Sequence, residues 1–170
     1  MPSDAYVKYS KILAFRPVDP VRDASLLINF GRQLYRESLG DERAFAREFG
    51  QSGQLFPKWI ADCASVDPAF AAFLTEDAAP IGFVALGRDP REPSVGHVHH
   101  FCVLPSHRGQ GFGGLLDDYA RTTLKAAGFR KARLNVTAAN KRALRFYAAQ
   151  GWRDATASAR ARLRHMEVAL

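Results

Sequence analysis

Two hydrophobic periods, 3.6 and 2, take turns along this chain and mark out helices and strands in alternation. Ile12 to Arg16 alternates as a strand, and Asp23 to Gly40 then carries Leu26, Leu27, Phe30, Leu34 and Tyr35 at helical spacing. Phe56 to Ala64 reads as a second helix, entered through Pro57. Ala69 to Leu74 and Ile81 to Leu86, separated by the polar stretch Thr75 to Pro80, make a strand pair. His97 to Val103 is a strand stopped by Pro105, and Gln110 to Ala127 is a long helix with Leu115, Leu116, Tyr119 and Leu124 on its apolar positions and Gly128 at its end. Arg133 to Thr137 is the next strand. Lys141 to Gln150 is a helix closed by Gly151, a residue suited to a left-handed cap, and Trp152 to Leu170 alternates well enough to supply two final strands. The pattern predicts an α/β fold with a mixed sheet of about seven strands flanked by about four helices.

Length and composition fit one compact unit over residues 1–170. Of the 170 residues 47% are hydrophobic, enough for a real core, and no stretch looks like a linker that divides the chain. There is no internal repeat or low-complexity tract. The opening Met1-Pro-Ser-Asp-Ala-Tyr lacks a basic region followed by an apolar run, and no window approaches about eighteen uninterrupted apolar residues, so the expectation is a cytoplasmic protein without membrane insertion. Cys63 and Cys102 are too few for a disulfide framework, lack metal-ligand spacing, and read as small buried apolar residues. Charge is lopsided: residues 121–170 carry a net +10 and residues 1–120 a net −3, giving +7 for the whole. A positive field over the last third suits a multiply phosphorylated ligand. Nucleic acid is the competing partner, and it is disfavoured because no aromatic-interleaved patch or recognisable module accompanies the charge.

Chemistry concentrates in two segments. In the first, Arg108, Gly109, Gln110, Gly111, Phe112, Gly113 and Gly114 follow a strand and open a helix, where backbone N–H groups without intrahelical acceptors and the helix dipole favour a phosphate. There is no Gly-Lys-Ser/Thr of a P-loop, and the spacing Gly109-x-Gly111-x-Gly113 departs from the dinucleotide fingerprint. The second is Asn140-Lys-Arg-Ala-Leu-Arg-Phe-Tyr-Ala-Ala-Gln-Gly-Trp, with a phenol at Tyr147.

Taken together, Arg108-x-x-Gly111-x-Gly113 and Asn140-x-x-Ala143-x-x-Phe146-Tyr147-x-x-x-Gly151-Trp152 closely resemble the GNAT superfamily of acyl-CoA-dependent N-acetyltransferases. The resemblance covers Val98 to Trp152 most specifically and the order of elements more loosely. It implies a mixed, largely antiparallel sheet splayed open between the strands ending at Val103 and beginning near Arg133, an acetyl-CoA-binding core over about residues 97–152, and acceptor-side elements mainly within 20–65. Acetyl-CoA would be a cosubstrate, its pyrophosphate on the glycine turn beside Arg108 and its pantetheine arm against the backbone at Phe101 and Val103, with Asn140 and Tyr147 completing the set. No metal is expected. Tyr147 would protonate the departing thiolate, while a primary amine attacks directly in a ternary complex.

The base is a departure from the family's frequent glutamate, since neither central strand has one. His97, His99 and His100 stand on the first, with Asn135 and Thr137 on the second. Simple alternation places His97 and His99 on the face of Phe101 and Val103, with His100 opposite, and His99 is the candidate base, titrating near neutrality. A satisfied core histidine, a water chain through Asn135 or Thr137, and a metal cluster lacking an evident fourth ligand stay open beside it. Glu37, Asp41, Glu42 and Glu48 on the acceptor side suit a cationic amine such as a polyamine, aminoglycoside, lysine side chain or peptide N-terminus, though a solvated helix face explains them equally. A homodimer stays open. The alternative is a non-catalytic acyl-CoA sensor, against which Tyr147 speaks.

Overall fold

The computed structural model describes residues 11–170. Residues 1–10, on which the expectation of no export signal rests, lie outside the described residues. The elements run β1 (Leu13–Pro17), α1 (Ala24–Leu39), α2 (Glu42–Phe49), α3 (Leu55–Val66), β2 (Ala71–Glu76), β3 (Ala79–Arg88), β4 (Gly96–Val103), α4 (Phe112–Ala126), β5 (Lys131–Thr137), α5 (Lys141–Ala149), β6 (Arg153–Asp154) and β7 (Leu163–Ala169). One seven-stranded sheet has the order β1-β2-β3-β4-β5-β7-β6, and only the β4–β5 pair is parallel. A fifth helix joins the expected four. Gly40 ends α1 in the left-handed region at φ 67°, and Asp41 then caps α2 by accepting from Arg43 N at 2.9 Å. The β2–β3 hairpin is also tighter than expected, turning on Asp77 and Ala78 alone, both at positive φ (48° and 68°). Among the described residues no helix is long and apolar enough to cross a membrane.

Each sheet face is covered by its own apolar layer. On one, Leu116, Ala120 and Leu124 of α4 and Tyr147 of α5 pack with Trp152 against Leu74, Val84, Leu86 and Val98. On the other, Leu27, Phe30, Phe45, Phe56 and Ile60 from α1–α3 pack against Phe73, Phe83 and Ala85. Trp152 Nε1 donates to buried Asp117 of α4 at 2.8 Å, and Trp152 N donates to Tyr147 O at 2.9 Å, so the end of α5 is fixed to α4. Breaking the buried bond would leave a donor unpaired at a cost of about 1–3 kcal/mol.

The sheet is splayed where the family resemblance placed the opening. Strands β4 and β5 pair only at Gly96↔Ala132, His97↔Arg133 and Val98↔Leu134, then part. A bulge begins there: Leu86 opposes Val98 but Ala85 opposes His100, so His99 is an extra residue in β4. The bulge overturns the alternation expected of this strand. Val98, Phe101 and Val103 pack with the α4–α5 layer, whereas His99 and His100 turn toward Trp59 of α3, on the side of His97. His99 is therefore opposite Phe101 and Val103, and His100 is on its own face. Space for the misplaced ring comes from Gly87, where an added Cβ would lie 2.5 Å from His99 Nε2.

Candidate active site

At the start of α4 the chain sheds side chains where an anion would approach. Gly111 is the N-cap at φ 85°, Gly109 has φ 74°, and a Cβ built at either meets nothing within 4 Å. The first bond into the helix is Gly114 N to Gly111 O at 3.0 Å, so the N–H groups of Phe112 and Gly113 point outward without a helical acceptor. Gly113 has a different reason to be glycine: a Cβ there would sit 3.0 Å from the Phe146 ring, so it lets α4 approach α5. Gly114 has open space around it. Phe112 turns its side chain into the core, and exposed Gln110 donates to Ser106 O at 3.3 Å. This cradle fits a pyrophosphate through backbone groups.

The cradle opens into a cavity of about 770 Å³ that runs through the splay and is lined from both faces of the sheet. On the α4–α5 side it meets Phe101, Val103, Asn140, Phe146 and Tyr147. Tyr147 is wedged among Phe101, Phe146 and Trp152, with ring centroids at 5.6, 5.1 and 5.7 Å. Burial, then the nearby Asp117 and Cys102, push its phenol well above its ordinary range, so it stays protonated. On the α1–α3 side the cavity meets Tyr35, Phe49, Trp59, His97, His99 and His100.

The three histidines have three environments. His97 is buried and hydrogen-bonds Asp89 (Nδ1···Oδ2 3.1 Å), whose other oxygen takes Arg91 N and Glu92 N and lies 3.2 Å from Arg133. Burial lowers the His97 pKa against the pull of Asp89. His99 stacks edge-on against Trp59 at 5.2 Å and lies 4.6 Å from the His97 ring, and burial followed by His97 lowers it to about 4. His100, between Tyr35, Phe56 and Trp59, is lowered by burial to about 3, and its Nδ1 has no partner among the described residues. All three are neutral imidazoles near pH 7, which corrects the expectation that His99 titrates near neutrality. Cys63 and Cys102 are buried thiols, raised by burial to about 11 and about 12. Among the described residues no group of three or more His, Cys, Asp or Glu side chains is placed to hold a metal ion.

Two expected ligand groups have protein partners. Arg108 donates from Nε to Val103 O at 3.0 Å and from its guanidinium to Glu37 of α1, so the charge expected beside the phosphate turn is balanced by an acid. Asn140 caps α5, its Oδ1 accepting from Ala143 N at 3.1 Å, while its residue lines the cavity. Asn135 Oδ1 bonds His165 Nδ1 at 2.6 Å and Thr137 donates to Ser38 O at 2.7 Å, so each member of the suggested water chain has a fixed partner. Sequence alone missed Asp89, Tyr35 and Trp59. Of these only Tyr35 carried a signal, its helical spacing in α1, and that signal pointed to core.

Comparison with known proteins agrees with this geometry. A sequence model described as the Acetyltransferase (GNAT) family matches residues 31–152. No curated protein matches the chain. Among solved structures, the PaiA N-acetyltransferase of Thermoplasma acidophilum in complex with coenzyme A aligns at TM-score 0.76 and 17% identity, over 94% of this chain and 99% of that one. Ard1 from Thermoplasma volcanium aligns at TM-score 0.68 and 18% identity, over 93% and 97% of the two chains. Naa50 of Arabidopsis thaliana, in complex with the bisubstrate analogue CoA-Ac-MVNAL, aligns at 0.66 and 16%, over 93% and 99%. At such identities the shared property is the fold.

Proposed function

The chain belongs to the acetyltransferase (GNAT) family, and from that membership we propose that it transfers the acetyl group of acetyl-CoA directly to a primary amine held in the same cleft. The observation that carries this reading is the splay itself: one cavity joins the glycine cradle and Tyr147 on one sheet face to the histidines and aromatic wall on the other. A thioester bound along β4 supplies the carbonyl carbon that an amine can attack. The N–H groups at the start of α4 hold the pyrophosphate, and the unpaired edge of β4 near Phe101 and Val103 orients the pantetheine arm. The coenzyme A complexes among the structural neighbours are in keeping with this assignment.

Acid and base then fall on opposite faces. Tyr147, kept protonated by burial, donates its proton to the departing thiolate. His99, a neutral imidazole, accepts the proton that the nitrogen sheds once it has bonded to carbon, when even a weak base suffices. The bulge is what makes this division: without it His99 and Phe101 would share a face. Free thiol release from acetyl-CoA, measured over a panel of amines, tests the reading. Tyr147→Phe should lower turnover by about a hundredfold or more while coenzyme A affinity stays near that of the unmodified protein. Equal turnover in the variant would return Tyr147 to packing, and binding without thiol release from any amine would favour an acyl-CoA sensor.

A further inference from the structure

On the reading that this cleft passes acetyl to an amine, its acceptor side indicates which amine. The acids that suggested a polycation are largely committed within the protein. Glu37 binds Arg108 and lies 3.7 Å from Arg142, Asp41 is 2.8 Å from Arg47, and Glu42 is 2.8 Å from Arg36. Glu48 alone has no cationic partner among the described residues, and it accepts a hydrogen bond from Tyr35. What remains is aromatic. Tyr35 and Phe49 have ring centroids 6.0 Å apart, Phe49 and Trp59 6.3 Å, and half-buried Trp59 stands edge-on to His99. Such a wall offers apolar area and a single carboxylate, whereas a polyamine or aminoglycoside, with several charges, would be better matched by several free acids.

Proton chemistry points the same way. Each histidine in the cleft is held below its ordinary range, so no strong base stands ready to strip an ammonium before attack. An alkylamine of pKa about 10.4 has only about one molecule in a few thousand unprotonated at pH 7, against about one in ten for an α-amino group of pKa about 8. We infer that the acceptor is an α-amino group next to an apolar or aromatic side chain, with that side chain seated against Tyr35, Phe49 and Trp59. A peptide N-terminus presents both features, whereas a free amino acid keeps the side chain but has its ammonium stabilised by its own carboxylate, which shifts the amine toward the alkylamine range.

The test uses the unmodified protein with acetyl-CoA at pH 7. Phenylalaninamide should give a kcat/KM at least about tenfold above phenethylamine, which keeps the ring on an ordinary alkylamine, and also above alaninamide, spermidine and Nα-acetyl-lysinamide. Phenylalanine and the peptide Phe-Ala-Ala-amide run beside them, and the better of the two identifies the source. Trp59→Ala removes a ring that packs on His99 and so should lower kcat/KM for every amine, but the loss for phenylalaninamide should exceed that for alaninamide by about tenfold. Spermidine or the lysine side chain outrunning phenylalaninamide overturns the inference. Calorimetric titration of the same amines into the coenzyme A complex reads the ranking without turnover. If the ranking holds but no thiol is released, acetyl transfer falls and the acceptor class stands; if the ranking reverses, the acceptor class falls whatever the turnover.

Discussion

Gly111 is a left-handed N-cap at φ 85° with open space where its side chain would be. Gly111→Val forces a β-branched residue into that conformation and fills the approach to the cradle, so coenzyme A affinity should fall by more than about tenfold, and calorimetry on the folded variant checks it. Arg108 was read as a phosphate ligand, yet its guanidinium goes to Glu37, 71 residues away, a pairing no local pattern announces. On the proposed mechanism the His99 ring must be unprotonated to act, so a rising limb due to this group is expected near pH 4, where its pKa is held at about 4. A limb between pH 7 and 9 belongs to the acceptor amine and should persist in His99→Gln over a plateau lowered about tenfold or more. Loss of that upper limb in His99→Gln alone would show a histidine titrating far above its buried value.

Elements were the most readable level, because periodicity needs only the sequence. Strands β1–β5 and helices α1, α3, α4 and α5 lie within a few residues of where the alternation placed them. Helix α2 was hidden because Gly40 and Asp41 read as the end of one helix, although Phe45 and Phe49, four apart and buried, carried the signal of the next. The bulge in β4 left no trace in the pattern: one added residue parts Phe101 and Val103 from the face of His97 and His99, and its support is the missing side chain of Gly87 on the neighbouring strand. The β2–β3 turn gives an elemental prediction. Ala78 sits at φ 68°, a conformation that costs an L residue with a Cβ about 1 kcal/mol and costs glycine nothing. Ala78→Gly should raise stability by about 0.5–1 kcal/mol, or about 1–4 °C in Tm, as read by thermal unfolding followed by circular dichroism.

Across the whole molecule, buried neutral histidines make the fold sensitive to acid well above the carboxylate range. An unfolded histidine titrates near 6.5, whereas His99 and His100 are held at about 4 and about 3. Below pH 6.5 the unfolded chain therefore binds more protons than the folded one, and stability falls as pH drops from 6.5 toward 3. His99 alone contributes about 3 kcal/mol of that loss. Urea midpoints should decline through this window, and the decline should flatten in the His99→Gln/His100→Gln double variant. The end of α1 has a different long-range role, since Ser38 O accepts from Thr137 of β5 while Glu37 holds Arg108 beside β4. One helix terminus thus bridges both arms of the splay, and the wall of one half-site is the buttress of the other. On the proposed reading, an amine and an acyl donor that each bias this bridge would alter one another's equilibrium affinity by the same factor, as thermodynamic reciprocity requires. Such heterotropic coupling would need no second subunit.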